Sequence, residues 1–376
     1  VGTGASPVQA EHSSAAARGK RYHSSMPTAF HLASVLLLAV LITSAAQSQQ
    51  PWTFVVSGDS RNCGDVVMPA IAAGTHHDQA LFYWHLGDFR YITDFDEDYK
   101  QQSVKPPTIA DYKANAWDDF IQNQLVPFAG TPVYLGIGNH ELYPPKTRAD
   151  YLIQFADWID TPELQQQRLR DNPKDHRLHI YYHWQRGGID FINLDNASVD
   201  QFDSDQMTWF EHVLAADTGD PAIVTIVVGM HQALPNSIAV FHSMSGAPQP
   251  EASGRRVYAD LLKLQAAKKN VYILASHSHY FMDGIFNTDY WRNNGGVLPG
   301  WIIGTAGAVR YILPPNTADA KFAKTNVYGY MLATVNPDRT IDFRFHELRE
   351  EDIPPEVVTR FSPEFVHQCF IGNRSN

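Results

Sequence analysis

Apolar residues fall in short blocks along this chain, and five of the blocks end in the same way. Residues 132–135 form an apolar run that breaks into Gly136-Ile137-Gly138-Asn139-His140-Glu141, glycines and polar side chains that a buried strand would not continue into. Residues 54–57 run into Gly58-Asp59-Ser60-Arg61, and residues 80–86 into Gly87-Asp88-Phe89-Arg90-Tyr91. Residues 222–228 deliver Gly229-Met230-His231, and residues 271–275 deliver Ser276-His277-Ser278-His279. A single Asp or His at a strand end is ordinarily a cap, a turn former or a satisfied imidazole. Five ends carrying metal-type side chains instead mark one crevice beyond the carboxyl ends of the strands, where open α/β sheets gather their ligands.

The remaining pattern fills in the elements between these ends. Residues 66–73 have helical spacing with Gly74 as a stop, so residues 54–86 read as strand, helix, strand, a crossover that makes the two strands parallel neighbours. Helices are expected over 111–125, with Trp117, Phe120 and Ile121 on one face, over 149–159, from an Asp203 or Ser204 cap to Leu214, and over 257–268. Residues 179–184 and 189–194, joined through Gly187-Gly188, read as a hairpin. Residues 301–305, 328–335 and 341–346 are closing strands. Residues 160–178 read as a polar surface excursion, the acidic stretch 94–98 as a solvated loop rather than a calcium loop, and 231–257 as a Ser-, Gly- and Pro-rich loop over the strand ends.

Composition narrows the class. With 376 residues, 44% hydrophobic and 18% charged, the chain has ordinary globular usage and enough length for a large core. Residues 1–25 lack apolar periodicity and read as a disordered upstream segment. Residues 26–48 follow a signal-peptide pattern, with an apolar core at 30–42 that is shorter than the roughly 20 residues a spanning helix needs. Residues 51–376 are then a single exported domain, secreted or periplasmic, with no stable membrane span expected. Residues 1–48 hold three basic residues and one acidic, so their removal takes the formal charge from −11 to −13. That balance, with no basic cluster among aromatics, argues against nucleic-acid binding beyond a substrate role. Two cysteines, Cys63 and Cys369, exclude a disulfide scaffold and a Cys-rich zinc module; they either pair across the chain or stay as buried thiols.

The motifs G-N-H-E at 138–141, G-D-x-x-Y at 87–91, V-x-x-H at 228–231 and H-x-H at 277–279 stand in the order seen in the calcineurin-like metallophosphoesterases, and the chain after residue 51 resembles that superfamily, in motif most of all its purple acid phosphatases. The resemblance implies an α/β fold, a two-sheet β-sandwich flanked by helices in four layers. It implies two metal ions from iron, zinc or manganese: Asp59, Asp88 and His279 on one, and Asp88, Asn139, His231 and His277 on the other, with Asp88 as the bridge. A mixed carboxylate and imidazole set favours such transition metals over calcium. Two such ions hold a hydroxide and neutralise the oxygens of an in-line phosphoryl transfer, so the implied activity is hydrolysis of small phosphate mono- or diesters. His140 would face the substrate as the catalytic acid, and an unperturbed imidazole near pH 6.5 would suit neutral-to-acidic work. Glu141 would support the loop or orient a histidine.

Two departures stand out: Arg61 where many relatives have a histidine in the first motif, and Ser276 where a glycine is usual. Tyr91 holds the place of the purple acid phosphatase tyrosinate and is a candidate ligand; the alternative is packing against Phe89 or Phe95. Arg61 and Arg90 are candidate phosphate contacts, or partners of local carboxylates. His242, in the 231–257 loop, is a candidate substrate contact or a surface histidine. The altered first motif also leaves a second reading, a non-catalytic or single-metal binding protein that retains the fold.

Overall fold

The structure is a computed structural model that describes residues 50–197, 202–239 and 242–375. The expected upstream segment 1–25 and leader 26–48 lie outside the described residues. All described residues fall in one unit, Ser48–Asn376.

Two sheets face each other. The first begins with β1 (Trp52–Ser57), β2 (Tyr83–His85) and β3 (Val133–Leu135), successive parallel neighbours. The second contains β4 (Tyr182–Arg186), β5 (Ile189–Asn193), β6 (Thr225–Gly229), β7 (Asn270–Ala275), β8 (Phe281–Asp283), β9 (Gly300–Ile303) and β10 (Phe322–Lys324). The chain then returns to the first sheet with β11 (Tyr328–Val335) and β12 (Ile341–Leu348). Strand order is β12-β11-β1-β2-β3 in one sheet and β10-β8-β9-β7-β6-β5-β4 in the other. Parallel strands β5, β6, β7 and β9 form the middle of the second sheet, with antiparallel strands outside them. The expected α/β sandwich with flanking helices is what forms.

Aromatic side chains fill the space between the sheets. Phe54 stacks on Phe82 at 5.0 Å, both meet Phe191 edge-on at 5.2 Å, and Tyr134 lies on Trp184 at 3.9 Å. Such rings bury large apolar areas in defined orientations, which fixes how the two sheets, and so their site-bearing ends, are set against each other. The helices Ser204–Gly219 and Pro248–Ala266 cover the outer face of the second sheet through Phe210, Leu214, Val257 and Leu261.

Several local expectations change. The helix expected to stop at Gly74 runs from Gly64 to His77; Gly74 is there because a Cβ would collide with the Tyr330 hydroxyl, not to end the helix. The 111–125 helix is α over Ile109–Phe120 and continues as a π turn, Ile121–Leu125. The 149–159 helix is two pieces, Arg148–Gln154 and Ala156–Ile159, broken at Phe155, whose ring packs on Phe89 and Trp117. The polar excursion contains a helix, Pro162–Asp171, capped by Thr161 and buried only through Leu164 and Gln167, too few apolar positions for a periodic signal. The last ten residues of the 231–257 loop, from Pro248, are already helix. Strands β8 and β10 and the helices Pro355–Phe361 and Pro363–Gly372 had no expectation. Cys63 and Cys369 form a disulfide, Cα atoms 6.0 Å apart, tying the last helix to the start of helix Gly64–His77.

The acidic stretch 94–98 is solvated only in part, since Asp94 and Glu97 are exposed but the other two acids are not. Asp96 and Asp98 are fully buried; Asp96 accepts from the backbone N–H of Asn62 (2.6 Å) and Tyr91 (3.2 Å), and Asp98 from that of Asp65 (2.8 Å). The run of acidic side chains reads as solvated, but its buried members turn back on Arg90, earlier in the same loop.

Candidate metal centre

The five strand ends meet. Three of the residues they deliver, Asp59 (φ 61°), Asp88 (φ 62°) and His277 (φ 65°), sit in the left-handed region, where a side chain other than glycine costs roughly 1–3 kcal/mol and persists only if its surroundings hold it. The holding contacts are visible. Glu141 accepts from the N–H of Gly138 (2.7 Å), Asp88 (2.9 Å) and Phe89 (2.9 Å), so it pins the two loops together and takes the loop-supporting alternative. A Cβ at Gly138 would strike the Asp88 carboxylate, which explains that glycine. His277 N–H donates to Asp59 Oδ2 at 2.7 Å, and His140 N–H to Asp88 Oδ1 at 2.9 Å.

Two ligand groups result, Asp88 with His231 and His277, and Asp59 with Asp88 and His279; in each, the donor atoms lie within 4.8 Å of one another. Asp88 is common to both. Asn139 Oδ1 joins the first group, 3.0 Å from His231 Nε2, which is in turn 3.0 Å from His277 Nδ1 and 3.4 Å from Asp88 Oδ1. The imidazoles are aimed by carbonyls: His231 Nδ1 meets Leu86 O at 3.0 Å, and His279 Nδ1 donates to Val309 O at 2.6 Å, leaving each Nε2 to face the carboxylates. Ser276, the second departure, is accommodated: its hydroxyl donates to Leu86 O (2.9 Å) and lies 3.1 Å from His231 Nδ1.

The residues fit metal ions on the evidence of their own unmet needs. Asp59 Oδ1 and Asp88 Oδ2 are buried without a hydrogen bond, and Asp59 Oδ1 faces His279 Nε2 at 3.2 Å with the histidine proton on the other nitrogen. Carboxylate oxygens buried without a donor call for a cation, and Arg61 Nη2 bonds the His279 imidazole at 2.9 Å and neither of these oxygens. Burial alone would raise Asp88, but His231, His140 and Arg61 outweigh it and hold the carboxyl well below its usual range. Against burial, the Asp88 charge pushes His231 up to about 9, so in the ion-free chain a proton sits among the ligands.

The remaining candidates divide. His140 is buried beside Asp88; its Nδ1 lies 2.5 Å from Tyr91 O, which can only accept, and its Nε2 meets Arg61 Nη1. Burial pushes its pKa down to about 4, so the expectation of an unperturbed imidazole does not hold in the ion-free chain. Arg61 is 6% exposed and lies inside the centre. Tyr91 packs against neither Phe89 nor Phe95 but lies on His140, ring centroids 5.2 Å apart, under the Arg61 guanidinium. His242 is brought in, 5.4 Å from the His277 ring and stacked on Tyr311. Arg90 is not brought to the centre: it is fully buried among Asp65, Asp98 (2.8 Å), Asp119 and Asp96 (3.8 Å), so it is no phosphate contact, and its alternative role as a carboxylate partner is the one realised. Tyr311 was missed. It stacks on His279 at 3.9 Å and accepts from Arg61 Nη2 at 3.4 Å, yet it follows β9 at a distance with no motif to announce it.

No family model and no curated protein matches the chain. Solved structures do. A purple acid phosphatase isolated from yellow lupin (Lupinus luteus) seeds superposes with a TM-score of 0.51 at 16% identity, over 79% of this chain and 52% of that one. The chain thus spans about half the length of that enzyme. PhoD (TM-score 0.48, 13% identity, 85% of this chain and 77% of that) and a dimetal phosphatase from Danio rerio (0.46, 12%, 79% and 98%) are also similar. The likeness is one of fold, shared with the lupin purple acid phosphatase.

Proposed function

We propose that the protein is a metal-dependent phosphoesterase that hydrolyses small phosphate mono- or diesters after export from the cell. The observation that carries this reading is the pair of ligand groups sharing Asp88, with orphaned carboxylate oxygens turned into both. Two bound ions would neutralise phosphoryl oxygens and make a water nucleophilic near neutral pH. The chain's own residues have definite tasks around them. Asp88, held ionised, serves both places; Asn139 adds a neutral oxygen that spares the substrate further negative charge. His140 bears its proton on Nδ1, toward Tyr91 O, and so becomes a proton donor at Nε2 only when an incoming phosphate offsets Arg61 and the burial that lower its pKa. Arg61 offers a planar fork for phosphate oxygens, and the half-buried Tyr91 and Tyr311 lie against it, with His242 stacked on Tyr311.

The test is metal content of the purified protein, followed by a panel of mono- and diester substrates with and without chelator. Bound transition metal and chelator-sensitive hydrolysis are expected; metal-loaded protein inert toward every ester sinks the enzymatic reading. The second reading, a single-metal binding protein, draws on the Arg61 guanidinium lodged against His279, and fewer than two ions with no turnover would favour it.

A further inference from the structure

The two ligand groups are not equivalent, and the difference is Arg61. Its Nη2 lies 2.9 Å from His279 Nε2, and its Nη1 meets His140 Nε2. Guanidinium nitrogens only donate, so both imidazoles accept through Nε2. The carbonyls behind them agree: His279 Nδ1 faces Val309 O and His140 Nδ1 faces Tyr91 O, neither of which can supply a proton. An imidazole nitrogen has one lone pair. While His279 accepts from Arg61 it has nothing to give a metal ion, so guanidinium and ion compete for the same atom.

Charge repeats the argument. Arg61 Nε, buried without a hydrogen bond, lies 3.9 Å from Asp88 Oδ2, itself orphaned, and the cation sits between the Tyr91 ring and the Tyr311 hydroxyl. The other place is different. Asn139, His231 and His277 turn their donor atoms to one another, and no arginine bonds them among the described residues.

We infer that Arg61 is a resident cation in the Asp59–Asp88–His279 place, so that metal ions load in order: the Asp88–Asn139–His231–His277 place fills first and tightly, the other second and only as Arg61 is displaced. The inference rests on the metallophosphoesterase reading and adds a consequence for it: displacement frees the fork of Arg61 beside the centre, and occupancy of the second place governs whether it is available to phosphate.

The experiment is calorimetric titration of chelator-treated protein with Mn²⁺ and with Zn²⁺, paired with metal analysis after gel filtration. Wild type should bind in two steps, the second at least about tenfold weaker, as a like charge in the place requires, and should keep one ion through the column. Arg61→Gln should tighten the second step and keep close to two ions. Asn139→Ala should weaken the first step and spare the second, which assigns the steps even if Arg61→Gln does not fold. Two ions bound with indistinguishable affinity by wild type, an unchanged gap in folded Arg61→Gln, or a second-step loss in Asn139→Ala overturns the inference while leaving a metal enzyme standing. Absence of any bound ion overturns the underlying reading as well.

Discussion

Two buried clusters in this protein are built from the same residue types and do different things. At the strand ends, Asp59, Asp88, His231, His277 and His279 converge with carboxylate oxygens left over. At the far edge of the second sheet, His183 on β4 lies between Asp190 of β5 (2.7 Å) and Asp171 of the Pro162–Asp171 helix (2.7 Å), and Gln167 and Gln185 add further bonds. There every histidine nitrogen has a carboxylate. Burial opposes a charged His183, but Asp190 and Asp171 outweigh it and push it up to about 10, so the cluster is closed by its own proton. The buried arginines show the same contrast: Arg90 is enclosed by four carboxylates, whereas Arg61 has Asp88 at 3.9 Å and two imidazole lone pairs. Burial of His and Asp together does not distinguish a metal place from a structural knot. Unmet acceptors do.

The comparison breaks most plainly at Asp88. Asp88→Ala should lose both ions and lower hydrolysis on the order of 10³-fold or more, as removal of a central electrostatic group does; binuclear metal retained in that variant would move the bridge elsewhere. His183→Ala is the counterpart at the other cluster. It leaves Asp190 buried and unpaired, so unfolding free energy should fall by about 3–5 kcal/mol with metal content unchanged. Loss of metal alongside the lost stability would tie the two clusters together and void the contrast.

His183 also predicts the pH dependence. Its pKa in the fold, about 10, is above that of a free imidazole, so its stabilisation is complete below about pH 6.5 and is lost as pH rises through the folded value. Denaturant melts of wild type and His183→Gln across that window should converge toward the alkaline end; parallel curves would show that the cluster does not hold its proton.

His140→Ala should keep both ions and lower turnover by about 10²-fold, most for esters with poor leaving groups, because protonating the departing oxygen matters least when it departs easily. Equal losses across leaving groups would remove the proton-donor role. The smallest effect is expected for Tyr91→Phe, since the Tyr91 ring already accounts for its place on His140 and under Arg61. A tyrosinate-to-iron visible band in iron-loaded wild type that vanishes in Tyr91→Phe would move Tyr91 from packing to ligation.

What the sequence by itself determined lies in its periodicities and strand ends. Alternating and continuous apolar runs specified β1, β6, β7, β11 and β12 and the Gly187-Gly188 hairpin, whose two central residues take positive φ as such a turn requires. The Gly-Asp, Gly-Asn-His-Glu and Ser-His-Ser-His ends named the converging residues, because residues that terminate neighbouring strands have nowhere to go but the same crevice. Only the tertiary structure decided how those residues are satisfied. Arg61 and Arg90 look alike in sequence, each two residues after an Asp at a strand end; one points among imidazoles and the other is enclosed by Asp96 and Asp98, a few residues on, and by Asp65 and Asp119 from two separate helices. Tyr311 reaches His279 from a segment without a motif, and Cys63 finds Cys369 across 306 residues. Partnership at such sequence separation leaves no local pattern, since it is set by which loops the packed sheets bring together, not by the residues on either side.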